Sequence, residues 1–172
     1  MSKNEKIRNN LKWCVMNKSK TIKANKKALL EYLECVSKML SSRIDIEGYI
    51  LSHGTLFIGR EPSKNVVVPT FKPKSKQCYY NSQLLALEAS EDIQYIEGYA
   101  FDGLLPLEHA WCVSDGKVID VTWEVTDRKN KENHDQTCIY YGIEIPKGFV
   151  WENMSKRELA EQLIYKFIKS RW

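Results

Sequence analysis

The sequence predicts an α+β protein, and three observations carry that reading. Helical periodicity marks the two ends of the chain, four strand-like runs cluster between Ile93 and Ile145, and a single helix stands ahead of those strands. Strands that follow one another without a helix between them pair as antiparallel neighbours, not as βαβ units.

The elements follow in order. A weak helix is predicted over residues 5–16, where Ile7, Leu11, Val15 and Trp13 form a stripe that Asn9 and Asn10 weaken. Over residues 25–42, Leu29, Leu30, Leu33, Val36 and Leu40 fall at helical spacing, with Lys26, Lys27, Glu31, Glu34 and Lys38 on the other face. Residues 44–68 mix β-branched and aromatic side chains with Gly48, Gly54, Gly59 and Pro62, which predicts short strands or irregular connections. Pro69 and Pro73 then punctuate a spacer over residues 69–76. A helix over residues 77–89 should follow it, with Leu84, Leu85 and Leu87 inward and Ser75 as N-cap. Strands are predicted over 93–101, 107–114 and 117–125, and a fourth over 138–145 after the polar stretch 126–137. The closing helix, residues 155–170, opens on the capping-box pair Ser155 and Glu158 and continues through Leu159, Leu163, Phe167 and Ile168.

With 172 residues, 43% of them hydrophobic, the chain can hold a core without disulfide or metal staples. One domain over 1–172 is expected, with a basic helical N-terminal addition over 1–43. No apolar run approaches the roughly 18 residues of a membrane span, and the first residues lack the apolar region of a secretory signal. The five cysteines (14, 35, 78, 112, 138) are odd in number and lack the paired spacing of a secreted scaffold. The expected location is therefore cytoplasmic, with no membrane partner. The net charge of +4 is uneven: residues 1–27 hold nine basic side chains against one acid, a net of +8, which leaves the rest at −4.

The chemistry points to the ordered set Cys78, His109, Asp120. A thiol at a helix start is favoured as thiolate by the helix dipole and free N–H groups, which also suit an oxyanion. His109 and Asp120 flank a hairpin whose turn is Asp115-Gly116, the strongest short hairpin signal. With a two-residue loop Ser114 pairs with Lys117, so Trp111 faces Asp120 and His109 faces Thr122. That would put His109 and Asp120 on one sheet face as diagonal neighbours, about 7–8 Å apart. The roles that follow are Cys78 as nucleophile, His109 as base then acid, and Asp120 as the group that orients the imidazole. Gln77, Tyr79 and Trp111 are the candidate oxyanion or substrate-binding neighbours, although a solvent-facing Gln77 and a core role for Trp111 and Trp123 compete. His109 and Cys112, three apart on a strand, point to opposite faces and cannot share an ion; no CxxC pair exists. No metal or other cofactor is expected.

These residues carry a resemblance. Gln77-Cys78-Tyr79 resembles the nucleophile segment of the transglutaminase-like branch of the papain-like cysteine-enzyme superfamily. The segment from Tyr95 through Gly98 to Tyr99 looks like the strand before its histidine. His109-Ala110-Trp111 and Asp120-Val121-Thr122 are similar to its H-A-W and D-P-T signatures. Lys76 stands where many members have glycine, and Val121 replaces the proline. The resemblance covers Gln77 to Trp123. It implies a papain-like core over 69–151, with the nucleophile helix packed on an antiparallel sheet, and thiol acyl chemistry: hydrolysis or transfer on a protein, peptide, or small amide or ester.

Two other classes compete. One is a binding module on the same fold without turnover; the other is a nucleic-acid binder acting through residues 1–27, where lysines surround Trp13. A solvated helix face or a flexible terminus is the favoured reading of those lysines, because no aromatics line a basic groove there. From Gln77 to Trp123 one lysine stands against eight acids, which disfavours a polyanionic substrate there. The stretch 126–137, with His134, reads as a solvated surface loop that, following the Asp120 strand, could also lie over the site as a lid.

Overall fold

The structure, a computed structural model, describes residues 3–39, 44–61, 63, 66–89, 92–126, 136–153 and 161–171, and over 3–17 the backbone alone. The two helices expected near the start form one, α1 (Lys3–Met39). No proline or glycine stands between them to break the i to i−4 ladder. Leu29 and Leu33 of its inner stripe are fully buried, while Leu40, at the far end of the predicted stripe, lies outside the described residues.

Residues 44–68 differ from the expectation. Asp45 caps a helix, α2 (Ile46–His53), by accepting the Gly48 N–H at 2.8 Å and the Ser37 hydroxyl at 2.7 Å. The single Gly48 was the misleading sign, because an N-cap aspartate and a buried Ile50 outweigh one glycine's propensity cost. Strand β1 (Thr55–Ile58) follows.

The central helix α3 (Cys78–Glu88) matches its predicted span closely, but Gln77, not Ser75, occupies the N-cap and makes no side-chain cap bond. Leu85 is buried; Leu84 and Leu87 are half-buried. The strands are β2 (Gln94–Phe101), β3 (Leu107–Ser114), β4 (Lys117–Ile119) and β5 (Ile139–Ile145), in the antiparallel order β1-β5-β2-β3-β4.

The β3–β4 turn has the expected register, Ser114 opposite Lys117, and positive φ at both Asp115 (49°) and Gly116 (72°), as a type I′ turn requires. The strand expected to reach residue 125 stops at Ile119. Asp120 leaves the ladder and caps a short helix, α4 (Val121–Thr126): Oδ1 accepts the Trp123 N–H at 3.0 Å, and the Asp120 carbonyl accepts that of Glu124. Val121 is thus the first helical residue, a position proline also favours.

After β1 the Gly59 N–H still donates to the Cys138 carbonyl beside β5, and the chain then crosses to the far edge, where the Glu61 N–H donates to the Val118 carbonyl and Glu61 bridges Ile119. The sheet is therefore curled. Its inner face packs Ile96, Ala100, Trp111, Val113, Val118, Cys138 and Tyr140 with Phe57 and Trp123. The outer face packs on α1, α2, α3 and α6 through Leu29, Leu33, Ile50, Leu85 and Ile164. Gly98 and Gly142 face each other across β2 and β5; a Cβ on Gly142 would stand 2.4 Å from the Glu97 carbonyl oxygen and 2.7 Å from the Trp111 ring. The indole lies where only hydrogen fits.

Two further helices close the chain, α5 (Lys147–Asn153) and α6 (Ile164–Lys169). The predicted opening of the last helix, Ser155 to Leu159, lies outside the described residues. At α6, Leu163 cannot cap with its side chain; the buried Glu97 carboxylate of β2 accepts the Leu163 and Ile164 N–H groups instead, at 2.8–2.9 Å. Among the described residues no helix is long and apolar enough to cross a membrane.

Candidate active site

Because β4 ends opposite Cys112, residues 107–111 of β3 have no strand on that side among the described residues. Helix α3 docks along this open edge. The Ser82 hydroxyl donates to the Ala110 carbonyl at 2.9 Å, and the Cys112 thiol donates to the Ser82 carbonyl at 3.2 Å. One helical turn before Ser82 is Cys78, the first residue of α3, half-buried. The turn ahead of it is clamped by Asn81, which is fully buried. Its Oδ1 accepts the Lys74 N–H at 2.9 Å, and its Nδ2 donates to the Lys74 carbonyl at 2.7 Å and to Thr122 Oγ1 at 2.9 Å. Asn81 therefore ties the turn before Cys78 to α4. Lys76 in that turn has φ of 62°, a left-handed conformation that glycine adopts freely and lysine does not.

His109 and Asp120 meet, though not as strand neighbours. Nε2 of His109 lies 2.7 Å from Oδ2 of Asp120, with the histidine 4% exposed and the aspartate fully buried. Asp120 Oδ2 also accepts the Tyr140 hydroxyl at 3.1 Å, while Oδ1 holds the Trp123 N–H. Trp123 stacks on the imidazole with ring centres 5.1 Å apart, and the Arg60 guanidinium lies over Trp123 at 5.3 Å.

Burial pulls the His109 imidazole down, but the Asp120 charge, the hydrogen bond to it and the hydrogen bond with Cys78 outweigh burial and raise it to about 10. Burial pushes Asp120 up; the His109 charge and hydrogen bond, the Trp123 N–H and the Arg60 charge more than offset this, and its carboxyl is held below the usual range. With Nε2 committed to an ionised carboxylate, Nδ1 is the nitrogen left for the thiol. The arrangement can take a proton from sulfur and hold the resulting imidazolium.

The other candidates do not all converge. Gln77 is exposed, and nothing directs its amide at the site. Trp111 is fully buried on the inner face, nearly parallel to His109 with ring centres 6.4 Å apart, and so belongs to the core beneath the imidazole. Tyr79, half-buried, remains a phenol, because burial and the nearby Cys78, Glu97 and Glu108 raise it well above its ordinary value. Residues 127–135 of the predicted lid, His134 among them, and the side chains of Trp13 and Cys14 lie outside the described residues. Among the described residues no group of His, Cys, Asp and Glu is arranged to hold a metal ion.

Sequence reasoning missed Asn81, Ser82, Arg60 and Tyr140. For Tyr140 a signal existed, since strand alternation places it on the same face as Cys138 and Gly142. No protein-family model, curated protein or solved structure matches the chain.

Proposed function

We propose that the chain is a cysteine-dependent acyl hydrolase or acyltransferase, built on a papain-like, transglutaminase-like core over residues 69–151. The observation that carries this is the buried imidazole of His109, held on Nε2 by the Asp120 carboxylate, with Cys78, the first residue of α3, near enough to help raise its pKa. The Cys78 proton passes to Nδ1 of His109 and the sulfur attacks a substrate carbonyl carbon. Backbone N–H groups at the start of α3 receive the developing oxyanion. The imidazolium then protonates the leaving amine or alkoxide as the C–N or C–O bond breaks, leaving a thioester. Water or an amine, deprotonated by His109, releases the acyl group and restores the thiol. Asp120 keeps the proton on Nε2, so that Nδ1 stays a base. A free thiol in this role fits a reducing compartment such as the cytoplasm.

Alkylation by iodoacetamide, read by peptide mass mapping, tests the proposal. Cys78 should react about a hundredfold faster than exposed Cys35 at neutral pH, and His109→Ala or Asp120→Asn should remove most of that advantage. Circular dichroism checks that each variant is folded. Equal labelling of Cys78 and Cys35, or an advantage that survives both substitutions in folded protein, would leave a binding module on this fold as the better reading.

A further inference from the structure

We infer that the substrate of this site is a peptide with a large apolar residue beside the scissile carbonyl, docked on the β2–β3 turn; this rests on the catalytic reading above. Leu104, Leu105 and Leu107 are 85%, 61% and 45% exposed, and with Pro106 they fill the four positions just before Glu108 and His109. A single exposed leucine needs no explanation, but three in one turn form an apolar patch of the kind that marks a binding surface.

The turn is also built to present them. Gly103 takes φ of 105°, the Leu104 N–H donates to Asp102 Oδ1 at 3.0 Å, and a Cβ on Gly103 would stand 3.4 Å from Asn25 of α1. Leu107 and His109 are two residues apart on β3 and so project from the same face, about 7 Å apart along the strand. An apolar side chain resting on Leu107 therefore brings its own carbonyl towards the imidazole. Asp102 lies across the turn, so an acidic residue in that place is repelled. A polypeptide fits better than a lipid surface, because the patch is continuous with the reacting groups and its flanking charges are negative.

The test uses the full chain and peptidyl chloromethyl ketones ending in leucine, serine or aspartate. In the labelling step the Cys78 sulfur forms a bond to the methylene carbon as the C–Cl bond breaks; chloride leaves and the thiol proton passes to His109. The leucyl probe should inactivate the protein at least about tenfold faster than the seryl probe, with the aspartyl probe slowest. In the triple variant Leu104→Ser, Leu105→Ser, Leu107→Ser the leucyl-to-seryl ratio should fall to about one. Trp151→Ser should leave the ratio as it was, because Trp151 is equally exposed but sits on α5, beyond the Tyr95 end of the sheet. Equal rates for the leucyl and seryl probes, a ratio that survives the triple substitution, or no labelling by any of the three while iodoacetamide still marks Cys78 through His109, would overturn the inference and leave the catalytic reading standing. Loss of His109 dependence with iodoacetamide would remove that reading itself, and the inference with it.

Discussion

A carboxylate out of contact with water is costly unless both of its oxygens are bonded, and Asp120 has donors on each. Its charge, in turn, is what holds the imidazole proton against the pull of burial. Asp120→Asn keeps the shape and removes the charge, so burial should govern. His109 should then titrate well below about 10. An NMR titration of the His109 ring protons measures this directly; an unchanged midpoint would show that Asp120 is not the source of the shift. At this scale part was legible, since the Asp115-Gly116 turn and its register sufficed to bring His109 and Asp120 near each other. How the pair meets was not legible. Asp120 reaches His109 by capping a helix, and Tyr140, 20 residues further on, reaches Asp120 only because the sheet curls.

Among the elements, the turn before α3 is where sequence and backbone are in tension. Lys76 holds a left-handed φ that costs a non-glycine residue about 1–2 kcal/mol, while glycine costs about 0.4–1 kcal/mol more in the unfolded chain. Lys76→Gly should therefore stabilise the protein by up to about 1 kcal/mol, seen as a higher urea midpoint with unchanged slope. A lower midpoint would mean that the lysine side chain holds the turn. Amphipathic spacing made α1 readable, and apolar and aromatic runs made β2, β3 and β5 readable. Helices α2 and α4 were hidden for opposite causes: Gly48 disguised a capped helix, and the β-branched Val121, Thr122 and Val125 disguised another as strand. In both, a capping aspartate decided the matter.

Across the whole molecule, pH couples the site to the core. Burial raises the Glu97 carboxyl to about 7, although the Tyr95 hydroxyl and the two α6 N–H groups pull it down. The folded protein thus keeps a proton where the unfolded chain has released it, between the usual value of 4.5 and about 7. That contribution is fully present below 4.5 and is lost as pH rises through about 7. His109, also raised, contributes stability that is lost as pH rises through about 10, whereas Asp120, lowered, contributes stability that is lost on the acid side. Melting temperature should accordingly be highest near the usual carboxylate value of 4.5 and fall from there towards neutrality. Glu97→Gln should flatten the fall near pH 7, a step of at most about 3 kcal/mol. A wild-type profile that rises through pH 7 would contradict the assignment.

The open edge of β3 also sets an order of assembly. His109 and Asp120 are 11 residues apart and joined by a two-residue turn, so their pairing is nearly local. Cys78 lies 31 positions before His109, and closing that longer loop costs roughly 1 kcal/mol more in chain entropy. During refolding the imidazole–carboxylate pair should form first, with the thiol activated only when α3 seats on the edge. Pulsed alkylation would then show the Cys78 rate rising above that of an ordinary thiol only after the hairpin amides are protected, so that a nascent or damaged chain with α3 undocked would carry a sulfur of ordinary reactivity.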